Sequence, residues 1–414
     1  MGGRGVRIRR LGGDRAGEIR LTRLLRNEAV TTEAMTTEAG RGLAQRCVGR
    51  HVLAIQDTTV VRSQGGGGLY LHPVIVVDAE EGALLGLAHA EFLSRDKGLK
   101  GSRQSKPVKD KQSRRWLDGA EQAAKVCASA ARVTVIADRE SDIYAAFAAR
   151  PVGIDLLVRA AQDRSLEDGG RLFATADALP EMGRAELDLP AKPGRKARQT
   201  RVAIRFMTVS LARPGNSVDA GLPKSVSLTL VDVREIDPPP GEAVHWRLLT
   251  THTVDDAAQA FAVVDLYRRR WVIEQLFRTL KTQGFDIEGL LISEEAPLRR
   301  LVMAVLIAAV SVQQLVHARD GVQGPAPLRP ITDAFEPDDA PLLEAFCKKL
   351  EGKTQRQKNP HPKGSLAYAA WVCARLGGWT GYYGKPGPIV MLNGWTDFQA
   401  AKRGVALLTG QPDV

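Results

Sequence analysis

The segment DLYRRRWVIEQLFRTLK, residues 265–281, constrains this chain more than any other stretch. Tyr267, Arg270, Glu274 and Lys281 follow one another at steps of three, four and seven. At about 3.6 residues per turn, each step returns to nearly the same side of an α-helix. Ile273, Leu276 and Leu280 form a second, apolar stripe that belongs against a core. The spacing predicts one amphipathic helix over 256–282. Its polar face carries a lone carboxylate among cations and a tyrosine.

Two predicted strands end in an aspartate. HVLAIQ, 51–56, runs into Asp57, and RVTVIA, 132–137, runs into Asp138. PVIVV (73–77), ALLGLAHAEF (83–92), LLVRA (156–160) and WRLLTT (246–251) read as further strands. Helices are expected at 19–50, where a TTEA step occurs at 31–34 and again at 36–39, each able to start a helix with a Thr cap. Others are expected from Trp116, over SDIYAAFAA and over 297–317. The Gly- and Arg-rich leader, 1–18, reads as mobile and the basic segment 95–115 as a solvated loop. Residues 161–245 alternate strand-like runs with Pro, Gly and basic clusters, which reads as a β-rich insertion. The tail, 321–414, is Pro-rich, then helical, then rich in Gly and aromatics.

With 414 residues and 44% hydrophobic content the chain can bury a sizeable core. The formal charge of +11 suits a polyanionic partner, most simply nucleic acid. Cys47, Cys127, Cys347 and Cys373 are far apart and form no CxxC pair, so they read as reduced thiols of a cytosolic protein. The apolar run LVMAVLIAAVSV, 301–312, is shorter than the ~20 residues a membrane span needs and reads as a buried core helix.

Asp57, Asp138 and Glu274 are three carboxylates from two strand ends and a helix. Such a set can hold a pair of Mg²⁺ ions, which take oxygen ligands and leave places for phosphate and water. Singly, each has a plainer reading. Strand-end aspartates occur at ordinary turns, a Glu four residues after an Arg makes a helix salt bridge, and Arg270 with Lys281 forms a solvated basic face. His72, His89 and His245 share no metal-binding spacing. Arg195, Lys196, Arg198 and Arg201 read either as a DNA-facing or as a solvated loop.

The pattern Y-x2-R-x3-E-x6-K, with QDTT around Asp57 and DRESDIY at 138–144, resembles the cut-and-paste DDE transposases of the insertion-sequence-four (YREK) family. The resemblance covers roughly residues 20–320. It implies an α/β fold: a ribonuclease-H-like catalytic core (51–160 and 246–320) interrupted by the β-rich insertion (161–245). A short N-terminal helical, DNA-binding segment (1–50) would precede it and a mainly α-helical dimerisation region (321–414) would follow. It implies Asp57, Asp138 and Glu274 as the catalytic, metal-binding triad, with two Mg²⁺ ions for which Mn²⁺ substitutes. Tyr267, Arg270 and Lys281 would grip DNA near the cut. Trp246 would stack on a flipped base, or else is a core residue. Arg159 would contact DNA, and Glu140 and Asp142 would support the triad. The implied partners are double-stranded DNA, as terminal inverted repeats and as target, and a second copy of the chain in the DNA complex, with no membrane. The implied setting is bacterial, cytoplasmic and nucleoid-associated. Only 56 residues precede Asp57, whereas the family carries a longer end-reading domain there. Two readings therefore stand: an active transposase, and a shortened, non-catalytic DNA-binding or dimerising regulator.

Overall fold

The structure, a computed structural model, describes residues 6–64, 67–95, 112–189, 196–215, 221–241, 243–321 and 328–409. Among these, ten strands form one sheet. Strand β1 (His51–Gln56) shows how it is built. Val52 and Ala54 face one apolar cluster, and Leu53 and Ile55 face another, because successive side chains point to opposite faces. A strand covered on both faces must be apolar throughout, which is why it reads as a continuous run.

β1 pairs antiparallel with β3 (Gly67–Asp78), and β3 pairs antiparallel with β4 (Leu84–Arg95). On its other side β1 lies parallel to β5 (Arg132–Ala137), which lies parallel to β6 (Ile154–Arg159). The order β4-β3-β1-β5-β6 is the core of a ribonuclease-H-like fold. A short strand, β2 (Thr59–Gln64), resumes after a two-residue break and pairs with the first half of β3. The strands of the expected insertion continue this same sheet. β10 (His245–Thr250) pairs with β6, and β9 (Ser225–Glu235), β8 (Arg198–Ala212) and β7 (Gly183–Leu189) follow in turn.

Helices cover both faces. One cluster joins α2 (Arg15–Arg26), α3 (Thr32–Gly40), α8 (Ala257–Arg268), α9 (Trp271–Leu280) and α10 (Glu295–Ala318) to the sheet. The other holds α4 (Leu43–Cys47), α5 (Arg115–Val126), α6 (Tyr144–Ala148) and α7 (Leu172–Ala178). The end of α10 enters a third cluster with α11 (Ala340–Leu350), α12 (Leu366–Leu376) and α13 (Pro388–Thr409). α10 is long and apolar enough to cross a membrane, but 72% of its most apolar window is buried within the fold. The core-helix reading of 301–312 matches this placement.

Four expectations need correction. The leader is helical from residue 8: α1 (Ile8–Gly12) precedes α2, whose start Asp14 caps by accepting from Gly17 N at 2.7 Å. Only the first TTEA starts a helix. Thr31 caps α3, whereas Thr36 lies inside it and donates to the Thr32 carbonyl at 2.8 Å. The segment GPIVMLNGW lies mostly in α13 and is helical from Pro388. The predicted helix over 256–282 is two helices. Between α8 and α9 the backbone tightens: Arg269 N donates to Leu266 O and Arg270 N to Tyr267 O, steps of three rather than four. Most of the basic segment 95–115, and Arg195, lie outside the described residues.

Candidate active site

The parallel ladder positions the two aspartates. Ile55 pairs with Ile136 across β1 and β5. Two residues further on, Asp57 and Asp138 fall in one row past the carboxyl ends of these strands. β6 adds a third member, since Ala137 pairs with Val158 and the next step sets Asp138 beside Arg159. Carboxyl ends of parallel strands are where open α/β sheets place their ligand sites.

Helices α8 and α9 bring the remaining groups over this row. Ile273, Leu276 and Leu280 are fully buried, so the opposite side of α9 turns Glu274 toward the strand ends. Glu274 lies in the first turn of α9, where the helix dipole favours a carboxylate. The tightened junction places Arg270 centrally. Its Nη1 donates to Asp57 Oδ2 at 3.1 Å and to Glu274 Oε1 at 3.2 Å, and its Nη2 lies 3.9 Å from Asp138 Oδ2. Three carboxylates thus converge on one guanidinium that is only 8% exposed. Tyr267, on the last turn of α8, donates its hydroxyl to Asp138 Oδ1 at 3.1 Å.

The charges are unbalanced. Asp57 is pushed up to about 6, first by burial and then by Glu274 and Asp138, against the pull of Arg270 and the Thr58 N–H. Burial likewise raises the Tyr267 hydroxyl, with Asp138 adding to it, so Tyr267 stays a phenol. Burial alone would lower Arg270, but Tyr267 and the three carboxylates hold it above its ordinary value. Three carboxylates facing one buried cation make a site short of positive charge, and oxygen donors suit a hard divalent ion. Among the described residues no three His, Cys, Asp or Glu side chains are drawn together as they would be around an ion. Arg270 lies between the carboxylates. By donor chemistry alone the set suits a divalent cation.

The other predicted residues divide. Trp246 is half-buried on β10, and its ring meets the Tyr267 ring edge-on at 5.5 Å. Arg159 donates to the His245 carbonyl at 3.0 Å, and burial lowers it, with Tyr267 pulling it back up. Both border Tyr267. Lys281 does not join the carboxylates. It ends α9, two turns beyond Glu274, and pairs with Glu288 at 2.7 Å. Asp142 is buried, pairs with Arg164, and accepts from Ala161 N and Gln162 N, so it shapes the loop after β6. Glu140 pairs with Arg115. Arg198 pairs with Glu235, which Arg198 first and then Thr200 and Val244 N hold at about 2, while Lys196 and Arg201 are exposed. His72 and His245 are held by ordinary polar partners: Thr58 and Gln56 for one, Asp232 for the other.

Sequence reasoning missed Arg115, which reaches Thr58 beside Asp57. It stands at the end of a basic run that reads as a loop, and no spacing singles it out. A sequence model of the family described as Transposase DDE domain matches residues 71–311, more than half of the chain. The match includes Asp138 and Glu274 and begins after Asp57.

Proposed function

The chain belongs to the transposase DDE-domain family, and on that premise we propose that it is a cut-and-paste transposase of the insertion-sequence-four type that cuts DNA at an element's ends and joins the freed 3′-OH to target DNA. The observation that carries this reading is the convergence of Asp57, Asp138 and Glu274 on one buried guanidinium at the carboxyl ends of β1 and β5. A carboxylate cluster short of counter-charge suits chemistry in which cations and a phosphodiester meet.

Asp57, Asp138 and Glu274 would hold the divalent ions, two Mg²⁺ or Mn²⁺. When bound, those ions supply activation of the attacking oxygen and charge neutralisation at the scissile phosphate. The Arg270 guanidinium, paired with Asp57 and Glu274 and close to Asp138, would also be placed to meet a phosphate. The Tyr267 hydroxyl fixes the rotamer of Asp138. Trp246 offers an aromatic face beside Tyr267 to an unstacked base. Arg159 borders the same spot, and Lys281, paired with Glu288 two turns beyond Glu274, would meet a phosphate farther from the cut. No covalent protein–DNA bond is required, because water and then the 3′-OH act as nucleophiles. Holding two ends together calls for a dimer on DNA, with 321–414 as the contact region; the family resemblance would set the protein in the bacterial cytoplasm, at the nucleoid.

The test is a plasmid carrying the DNA that flanks this gene, incubated with wild-type protein or Glu274→Ala, with and without Mg²⁺. Metal-dependent cuts that leave a 3′-OH, reduced to background in the variant, are expected. Binding without cutting under both metal conditions would overturn the enzyme and favour a non-catalytic regulator.

A further inference from the structure

Beneath Asp57 runs a buried polar chain that the proposed reaction does not itself use. Thr58 donates its backbone N–H to Asp57 Oδ1 at 2.8 Å. Its hydroxyl Oγ1 accepts from Arg115 Nε at 3.1 Å and lies 2.9 Å from His72 Nδ1. The other ring nitrogen of His72 lies 3.2 Å from Gln56 Oε1, and Gln56 Nε2 donates to the Trp116 carbonyl at 3.2 Å. The Trp116 ring meets His72 edge-on at 4.7 Å, so the imidazole cannot turn freely.

These bonds orient one another. The carbonyl oxygen of Gln56 can only accept, so His72 Nε2 donates to it. In that tautomer Nδ1 accepts, and the Thr58 hydroxyl donates to it. Oγ1 keeps a lone pair for Arg115, as the geometry has it.

Arg115 continues the chain outward. Its Nη2 donates to Glu140 Oε2 at 2.9 Å, and Glu140 follows Asp138 by two residues. One guanidinium therefore ties the turn that carries Asp57 to the turn that carries Asp138. Arg115 itself is 6% exposed on the first turn of α5, which packs on β1, β3 and β5. A buried charge costs stability unless each donor is met, and an apolar side chain would fill such a place at less cost. The cluster's value lies in what it aligns.

We propose that Thr58 and Arg115, braced by His72, are positioning residues that aim the Asp57 carboxylate and set its spacing from Asp138, and so tune the affinity of the pair for a divalent cation. The inference rests on the metal-dependent reading above. Partners of this kind behind metal ligands change affinity or activity by about 10- to 100-fold when removed.

Three variants of the full chain decide it: Thr58→Val, Thr58→Ser and Glu140→Gln. The Glu140 carboxylate is 66% exposed, so its loss spares the fold even if Thr58→Val does not. Mn²⁺ binding to metal-stripped protein is read by electron paramagnetic resonance, beside melting temperature and the Mn²⁺ dependence of plasmid nicking. Thr58→Val is expected to raise the Mn²⁺ Kd by about 10-fold, and Glu140→Gln by a smaller factor, because its amide oxygen can still accept from Arg115. Nicking should fall at limiting Mn²⁺ and recover at high Mn²⁺. Thr58→Ser, which keeps the hydroxyl, should track the wild type. An unchanged Mn²⁺ Kd in Thr58→Val and Glu140→Gln overturns the proposal, as does a Thr58→Ser as impaired as Thr58→Val. A wild type that binds Mn²⁺ without cutting DNA sinks only the proposed function, because the Kd comparison still decides the positioning role. A wild type that binds no Mn²⁺ overturns both.

Discussion

Asp57 concentrates the electrostatics of the site. Its folded value of about 6 lies above the ordinary 3.8, with burial the main cause and the neighbouring carboxylates next. The folded protein therefore holds this proton more tightly than the unfolded chain. Its contribution to stability is greatest below about pH 4 and is lost as pH rises toward about 6. Cation binding by this carboxylate would have the opposite sign, since ionised oxygens would take the ion as the proton leaves. Mn²⁺ affinity should climb between about pH 5 and about pH 6.5 and then level off; a flat titration across that range would refute the assignment. Asp57→Asn removes the repulsion, so the melting temperature of metal-free protein at pH 8 should rise by ~2 °C while Mn²⁺ binding weakens. A fall in melting temperature would show that the Arg270 contact outweighs desolvation. Tyr267→Phe deletes the hydroxyl held by Asp138 but keeps the ring against Trp246. Plasmid nicking is expected to slow by about 10-fold with little change in melting temperature, and an unaltered rate would remove Tyr267 from the site.

Among the elements, those buried on both faces were the most legible. β1 and β5 read as strands because apolar runs ending in Asp leave few alternatives, and both ends lie where expected. The apolar stripe of α9 is legible for the same reason. The break between α8 and α9 was not, because steps of three, four and seven fit one helix as well as two joined by a tight turn. The role of Arg270 followed from that turn, so its central position could not be read in advance. Lys281 shows the reverse: spacing put it on the stripe, but two helical turns separate it from the carboxylates. α13 was obscured by its glycines, yet one of them is what lets it pack. A Cβ on Gly394 would lie 1.7 Å from the Cys373 carbonyl oxygen of α12. Gly394→Ala should therefore lower the melting temperature, by about 1–3 kcal/mol of stability, with Mn²⁺ affinity unchanged. Wild-type melting would contradict the close crossing of α12 and α13.

At the scale of the molecule, a basic chain carries an acidic site. The formal +11 was legible from composition, and a positive field of that kind attracts a polyanion over distance. DNA affinity should fall about 10-fold or more between 50 and 200 mM salt, because releasing the same counterions into saltier solution gains less; a salt-independent Kd would argue against a phosphate-tracking surface. The single sheet that runs from β4 through β6 to β7 places Trp246, on β10, in the same framework as the strand that ends at Asp138. The measurement that bears most directly on the whole account is anomalous diffraction from crystals soaked in Mn²⁺. The account predicts anomalous peaks in contact with carboxylate oxygens of Asp57, Asp138 and Glu274, with the Arg270 guanidinium drawn away from them. Saturating Mn²⁺ with no peak at these carboxylates, and Arg270 still bonded to Asp57 and Glu274, would contradict it.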